Sequence, residues 1–197
     1  KGRVHSTAGN FNNHIGVPLT LLSAPDDAVF LVVEMGANHV GEIAGLCAVA
    51  KPTHGIITNI GTAHIEGFGS FENVRKAKSE LYQSLNENKG TVIFNDENPI
   101  LSELAAEAGN TVPYSSPGIH TLIARAVEGE GMLLSVEATI DGRAYRFDTG
   151  LFGSYNLDNV RAAMAAGLLF EVPADDIVDA VSSYRPANNR SQVTETG

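Results

Sequence analysis

The sequence predicts an α/β fold: a mainly parallel sheet flanked by helices, carrying a small antiparallel β appendage. Two observations carry this reading. From the start to Tyr114, short β-branched runs alternate with stretches of helical period, the pattern of parallel strands joined by crossovers. After Pro117 the pattern becomes strict apolar and polar alternation broken by Glu-Gly-Glu-Gly and Asp-Gly, as in an antiparallel meander.

In chain order, Gly9 to Pro18 (GNFNNHIGVP) reads as a tight, hydrogen-bonding turn that leads into a short helix. Val29 to Glu34 (VFLVVE) is a strand, Val40 to Ala50 a helix, and HGIITNI after Pro52 another strand. Such a unit implies a right-handed crossover joining two parallel strands of a sheet. Ser70 to Leu85 is a helix with Ser70 as N-cap and Glu72 in the first turn, followed by a strand from Thr91 to Asn95. A short helix follows Pro99, then a strand near Thr111 to Tyr114. The meander comprises Thr121 to Val127, Met132 to Ile140 and Ala144 to Phe147. Helices return from Asn156 to Phe170 and from Ala174 to Tyr184, punctuated by Pro173 and Pro186. The expected organisation is one domain over 1–187, with the appendage at about 119–149, and the start of a linker over 188–197.

Composition narrows the function. The 197 residues carry 23 acidic and 13 basic side chains, a net charge of -10, and the only local basic cluster is Arg75, Lys76 and Lys78. That balance argues against nucleic acid and against an anionic membrane surface as partners. The single Cys47 forms no internal disulfide, and no signal-like or long apolar segment is present, so a cytoplasmic setting is the default. The sequence holds no G-x-x-x-x-G-K-[ST] loop, no G-x-G-x-x-G after a strand, no nucleophile elbow and no zinc spacing.

Ligands of an open parallel sheet collect beyond the carboxyl ends of its strands. Glu34 ends one predicted strand, and His64 follows Asn59 in the loop leaving the next. The pair suits magnesium, which takes oxygen ligands and often bridges phosphates. The plain alternative is a Glu capping the helix of its own loop and a His bonded to a neighbouring carbonyl. Lys78 is the sharper anomaly, falling in the middle of an apolar stripe of Phe71, Val74, Leu81, Tyr82 and Leu85, whereas Lys76 and Glu80 read as surface charges. A lysine there snorkels, pairs with a carboxylate, or is desolvated enough for its neutral amine to react. Neutral amine and carbon dioxide give a carbamate, a carboxylate on a long arm. Asn156 and Asn159 open a helix on one face beside Tyr155, where amides can read a purine edge or cap the helix. Arg190 is either a phosphate fork or a solvated linker residue.

Taken together, GNFNNHIGVPLTLL, VVEMGANHVGEIAGLCAVAKP, TNIGTAHIEGFGSFENVRKAKSELY and YNLDNVRAA resemble the central domain of the Mur ligases, over nearly the whole chain. EMGANH and GFGS are most like the branch that adds D-alanyl-D-alanine to UDP-MurNAc-tripeptide in peptidoglycan synthesis. The resemblance implies an ATP-dependent amide ligase, acting as a monomer on small molecules through an acyl phosphate. It also implies two magnesium ions, with Glu34 and His64 as ligands and Lys78 as a carbamylated ligand. Asn156 and Asn159 would read adenine, with Tyr155 in place of the usual His, and Arg190 would reach the terminal phosphate. Asn13 and His14 fall in a loop near the metals and the incoming peptide. In the family a phosphate-binding loop and a UDP-binding domain precede this segment and a C-terminal domain follows it. The segment alone is therefore expected to fold without ligating. Another amide ligase of the superfamily, such as an amino-acid-adding Mur ligase, folylpolyglutamate synthase or cyanophycin synthetase, and a non-catalytic domain of the same fold, are the alternatives.

Overall fold

The computed structural model describes residues 2–61, 65–115, 121–129 and 132–186. The chain divides into two compact units, one of residues 1–92 with 103–111, the other of 93–102 with 112–197. The elements run β1 (Arg3–Ser6), α1 (Gly16–Leu22), β2 (Ala28–Val32), α2 (Glu42–Ala50), β3 (His54–Ile56), α3 (Ile65–Phe68), α4 (Phe71–Glu87), β4 (Thr91–Phe94), α5 (Pro99–Ala105) and β5 (Thr111–Pro113). Then follow β6 (Leu122–Val127), β7 (Leu133–Ile140), β8 (Arg143–Phe152), a 3-10 turn (Ser154–Asn156), α6 (Leu157–Leu169) and α7 (Ala174–Ser183). The architecture is α/β, parallel strands flanked by helices plus a small antiparallel sheet.

In the first unit β1 and β2 pair in parallel, Val4 opposite Phe30 and Ser6 opposite Val32. The strand that opens at His54 belongs to a different ladder, ordered β3-β4-β5, so β2 and β3 do not share one hydrogen-bonded sheet. The strand-helix-strand pattern over 29–60 therefore does not make its two strands hydrogen-bonded neighbours.

Helices α1 and α2 meet in a cluster of Val17, Ile43, Leu46 and Cys47, against which Val33, Met35 and Leu81 pack. The long α4 starts where Ser70 caps it, its hydroxyl accepting the Asn73 N–H at 3.2 Å. Val74, Ala77, Tyr82 and Leu85 form its buried stripe, whereas Phe71, expected at the head of that stripe, is 36% exposed in the first turn. Leu85 is fully buried and wedged between two glycines. A methyl group at Gly55 would lie 2.7 Å from Leu85 Cδ1, and one at Gly90 would lie 2.7 Å from Leu85 Cδ2.

The second unit contains the predicted meander. Asp141 and Gly142 have φ of 47° and 86°, the two positive values that a tight hairpin between right-twisted strands requires. β8 extends past the expected end at Phe147, with Phe152 opposite Leu133. Leu122, Ala124, Val136, Ala138 and Ile140 are buried on the sheet, as are Val160, Met164 and Leu168 of α6 and Ile177 of α7. Arg161 ties α6 to β6 through the Ala124 carbonyl, 2.8 Å from Nε, and pairs with Glu97 at 2.8 Å. Among the described residues no helix is long and apolar enough to cross a membrane.

Candidate functional site

Glu34 lies two residues beyond β2, at the carboxyl end of a parallel strand, and is exposed. Its backbone N–H donates to Thr7 Oγ1 at 2.9 Å. Its carboxylate Oε1 accepts from Asn12 Nδ2 at 2.9 Å, and the Asn12 carbonyl takes the Gly36 N–H at 2.7 Å. A methyl group at Gly36 would stand 3.0 Å from the Asn12 amide, so glycine there keeps this clamp close. Asn12 opens the Asn12 to Gly16 segment that the resemblance places near the metals, but the sequence singles out Asn13 and His14 there, not Asn12. Glu34 does not cap its own loop. That is done by Glu42, whose Oε2 accepts the N–H of Asn38 at 2.7 Å and of His39 at 3.2 Å. The Asn38 amide, more than any other neighbour, holds the Glu42 carboxyl below its usual range.

The two neighbouring candidates differ. Asn13 Oδ1 accepts the N–H groups of Ile15 and Gly16 at 3.0 and 2.9 Å, forming the turn into α1. His14 is exposed beside it.

Lys78 is half-buried on α4, and Nζ donates to the Asn59 carbonyl at 2.5 Å in the segment after β3. Among the described residues it has no carboxylate partner. Burial pushes its pKa down, as expected when an ammonium leaves water. Glu80, expected on the surface, is instead 8% exposed. Its Oε1 accepts the Gly41 N–H at 2.6 Å and its Oε2 the Ala44 N–H at 2.9 Å. The reason is that α4 is packed on two flanks, against α2 as well as against the sheet, so its buried arc is wider than one stripe.

His64 and Arg190 lie outside the described residues. No three His, Cys, Asp or Glu side chains among the described residues come together as a metal group. The donor chemistry nevertheless fits a hard cation: Glu34 offers an anionic oxygen, Oε2, that takes no hydrogen bond from a described residue, and Lys78 offers an amine whose uncharged form is favoured by burial.

In the second unit Asn156 is buried in the 3-10 turn and Asn159 is exposed on α6. Asn156 Nδ2 donates to the Phe152 carbonyl at 2.9 Å and its Oδ1 accepts from Asn159 Nδ2 at 3.0 Å. Asn156 therefore does not cap α6 with its side chain. It braces Asn159, whose carbonyl oxygen and second N–H stay available as an acceptor and donor side by side. Tyr155 is 65% exposed, its ring lying where a methyl group on Gly153 (φ 81°) would come within 2.5 Å.

Residues 1–167 match the family described as Mur ligase middle domain. The chain belongs to that family. This Mur ligase middle domain is 34% identical over 194 residues to the UDP-N-acetylmuramoyl-tripeptide--D-alanyl-D-alanine ligase of Bacillus subtilis, covering 98% of the chain and 41% of that protein. Against the Escherichia coli ligase of the same name it is 31% identical over 198 residues, covering 96% of the chain and 42% of the relative. A crystal structure of MurF from Acinetobacter baumannii superposes with a TM-score of 0.87 at 27% identity, covering 99% of this chain and 43% of the other. MurF from Thermotoga maritima in complex with ADP superposes with a TM-score of 0.83 at 25% identity, covering 99% and 45%. The chain thus spans about two fifths of the length of the relatives it matches.

Proposed function

We propose that this chain is the ATP-binding middle domain of a ligase that joins D-alanyl-D-alanine to UDP-MurNAc-tripeptide. The observation that carries the reading is Lys78: a half-buried lysine whose amine rests on a backbone carbonyl and has a lowered pKa. The neutral amine adds carbon dioxide to give an N-carboxylate and a proton. With Glu34 and His64 it would then hold two magnesium ions, which supply charge neutralisation at the phosphates. The Thermotoga relative carries ADP, in keeping with ATP as the nucleotide.

In the reaction the terminal phosphoryl group passes to the carboxylate of the tripeptide, giving an acyl phosphate and ADP. The amine of D-alanyl-D-alanine attacks the acyl carbon, and phosphate leaves as the amide forms. Asn159, braced by Asn156, reads the adenine edge by its paired donor and acceptor. Tyr155 offers an exposed ring beside it. Arg190 meets the terminal phosphate, and His14 faces the incoming peptide. Asn13 acts there by shaping the turn that presents His14. The enzyme works as a cytoplasmic monomer.

The test is ATP-dependent joining of the two substrates by the longer polypeptide that contains these residues. Lys78→Ala should abolish turnover, and short carboxylic acids should restore part of it. Full activity in that variant would end the proposal. The 197 residues alone should fold without turning over, since they lack a G-x-x-x-x-G-K-[ST] phosphate cradle.

A further inference from the structure

Lys78 and Glu80 sit two residues apart on α4, so their side chains leave the helix about 200° apart. Lys78 reaches the segment after β3 through the Asn59 carbonyl. Glu80 reaches the opposite flank, where both its oxygens are taken by amides at the start of α2, Gly41 N–H and Ala44 N–H. These are amides that a helix cannot satisfy within itself. A local side chain would serve them, yet the capping position is Gly41, with φ 95° and no side chain to offer. The cap comes from 39 residues away. Among the described residues no lysine or arginine neutralises Glu80, so a buried carboxylate is held by helix-terminal amides alone.

The segment so tethered begins with Glu34. Thr7 and Asn12 hold its first part, Glu42 binds Asn38 and His39 in its middle, and Glu80 fixes its far end to α4. We propose that Glu80 is a positioning residue: it locks the Glu34 loop to the helix that carries Lys78, so that the Glu34 carboxylate and the N-carboxylate formed on Lys78 are held to one cation site. This rests on the reading of Glu34 and Lys78 as cation ligands given above. Glu80 touches neither cation nor substrate and acts through the first turn of α2.

The experiment uses Glu80→Gln in the longer polypeptide containing this domain. The substitution keeps the volume but sets an NH2 group against an N–H, so one of the two bonds must break. Manganese binding is measured by electron paramagnetic resonance without turnover, and amide exchange at Gly41 and Ala44 by NMR. The expected result is faster exchange at one or both amides together with manganese affinity about tenfold weaker, the size of effect typical when a group supporting a metal ligand is lost. Faster exchange with unchanged manganese affinity would overturn the proposal, leaving Glu80 as a cap and nothing more. Unchanged exchange would overturn it equally. Should Glu80→Gln fail to fold, Glu80→Asp carries the same readings, with intermediate affinity expected and wild-type affinity decisive against it. Lys78→Ala separates the two levels: if manganese affinity survives that change in an otherwise wild-type protein, the cation reading itself has failed and this proposal falls with it.

Discussion

Adjacent asparagines with different work offer the sharpest test of the site. Asn12→Ala removes one bond, from Nδ2 to Glu34 Oε1 at 2.9 Å, and leaves the Asn12 carbonyl on Gly36 N–H in place. A hydrogen bond to a charged group contributes about 1.5–3 kcal/mol, and the exposure of Glu34 puts this one at the low end. Freed from it, the Glu34 side chain regains rotamers that a cation must freeze again, a cost of similar order. About 1.4 kcal/mol is a factor of ten, so cation affinity in the longer protein should fall about tenfold. Asn13→Ala instead removes the acceptor of the Ile15 and Gly16 N–H groups. That should lower unfolding stability by about 1 kcal/mol, as for other lost caps, and leave cation affinity alone. Calorimetric magnesium titration and urea unfolding read the two effects separately. Equal losses of affinity in both variants, or none in Asn12→Ala, would refute the assignment of Asn12 as the clamp on Glu34.

Three further outcomes follow from burial. Desolvation sets the folded-state pKa of Lys78 below the ordinary lysine value of 10.5, so the unfolded chain binds more protons between the two values and stability should rise with pH through that window, up to about 10.5. Urea midpoints measured across it should lose this slope in Lys78→Met, and a slope of opposite sign would contradict the burial. Leu85→Ala should destabilise by about 3–5 kcal/mol, the upper part of the usual range, because glycines at 55 and 90 have no side chain to move into the hole. Denaturant unfolding checks it, and a loss below about 2 kcal/mol would mean the site collapses. Tyr114 is 3% exposed, its hydroxyl has no partner among the described residues, and burial, with the Asp158 charge second, pushes its pKa up to about 12. Tyr114→Phe should therefore be neutral or stabilising by up to about 1 kcal/mol, and a thermal scan showing a clear loss would reveal a hidden partner.

What the sequence disclosed was local. The Ser70 cap, the limits of α4 and the Asp141-Gly142 hairpin each depend on neighbours a few residues away, and each was legible. So was the anomaly of Lys78, because a charge within an apolar stripe needs no partner to be conspicuous. Glu80 was misread for the complementary reason: its partners are Gly41 and Ala44 on another helix, and helical period cannot report that α4 is packed on two sides. That Asn12 and not Asn13 reaches Glu34 is a matter of backbone path, which no local pattern reports. The pairing of β2 with β1 was hidden because Arg3 to Ser6 is a four-residue, mostly exposed run with no apolar pattern to mark it as a strand. Asn156 looked like a cap, yet the bend at Gly153 turns its amide back to Phe152.

The wedge of Leu85 between Gly55 and Gly90 makes three distant positions a single heritable unit. An alanine at 55 meets Leu85 at 2.7 Å and Leu81 at 3.1 Å, and a trimmed residue at 85 leaves a void, so the two together relieve the closer of these contacts. Such a double substitution should be milder than the sum of its parts, a non-additivity expected of residues in contact. Lineages of this domain would then change these sites in concert or not at all, and a suppressor screen begun from Gly55→Ala should return replacements at position 85.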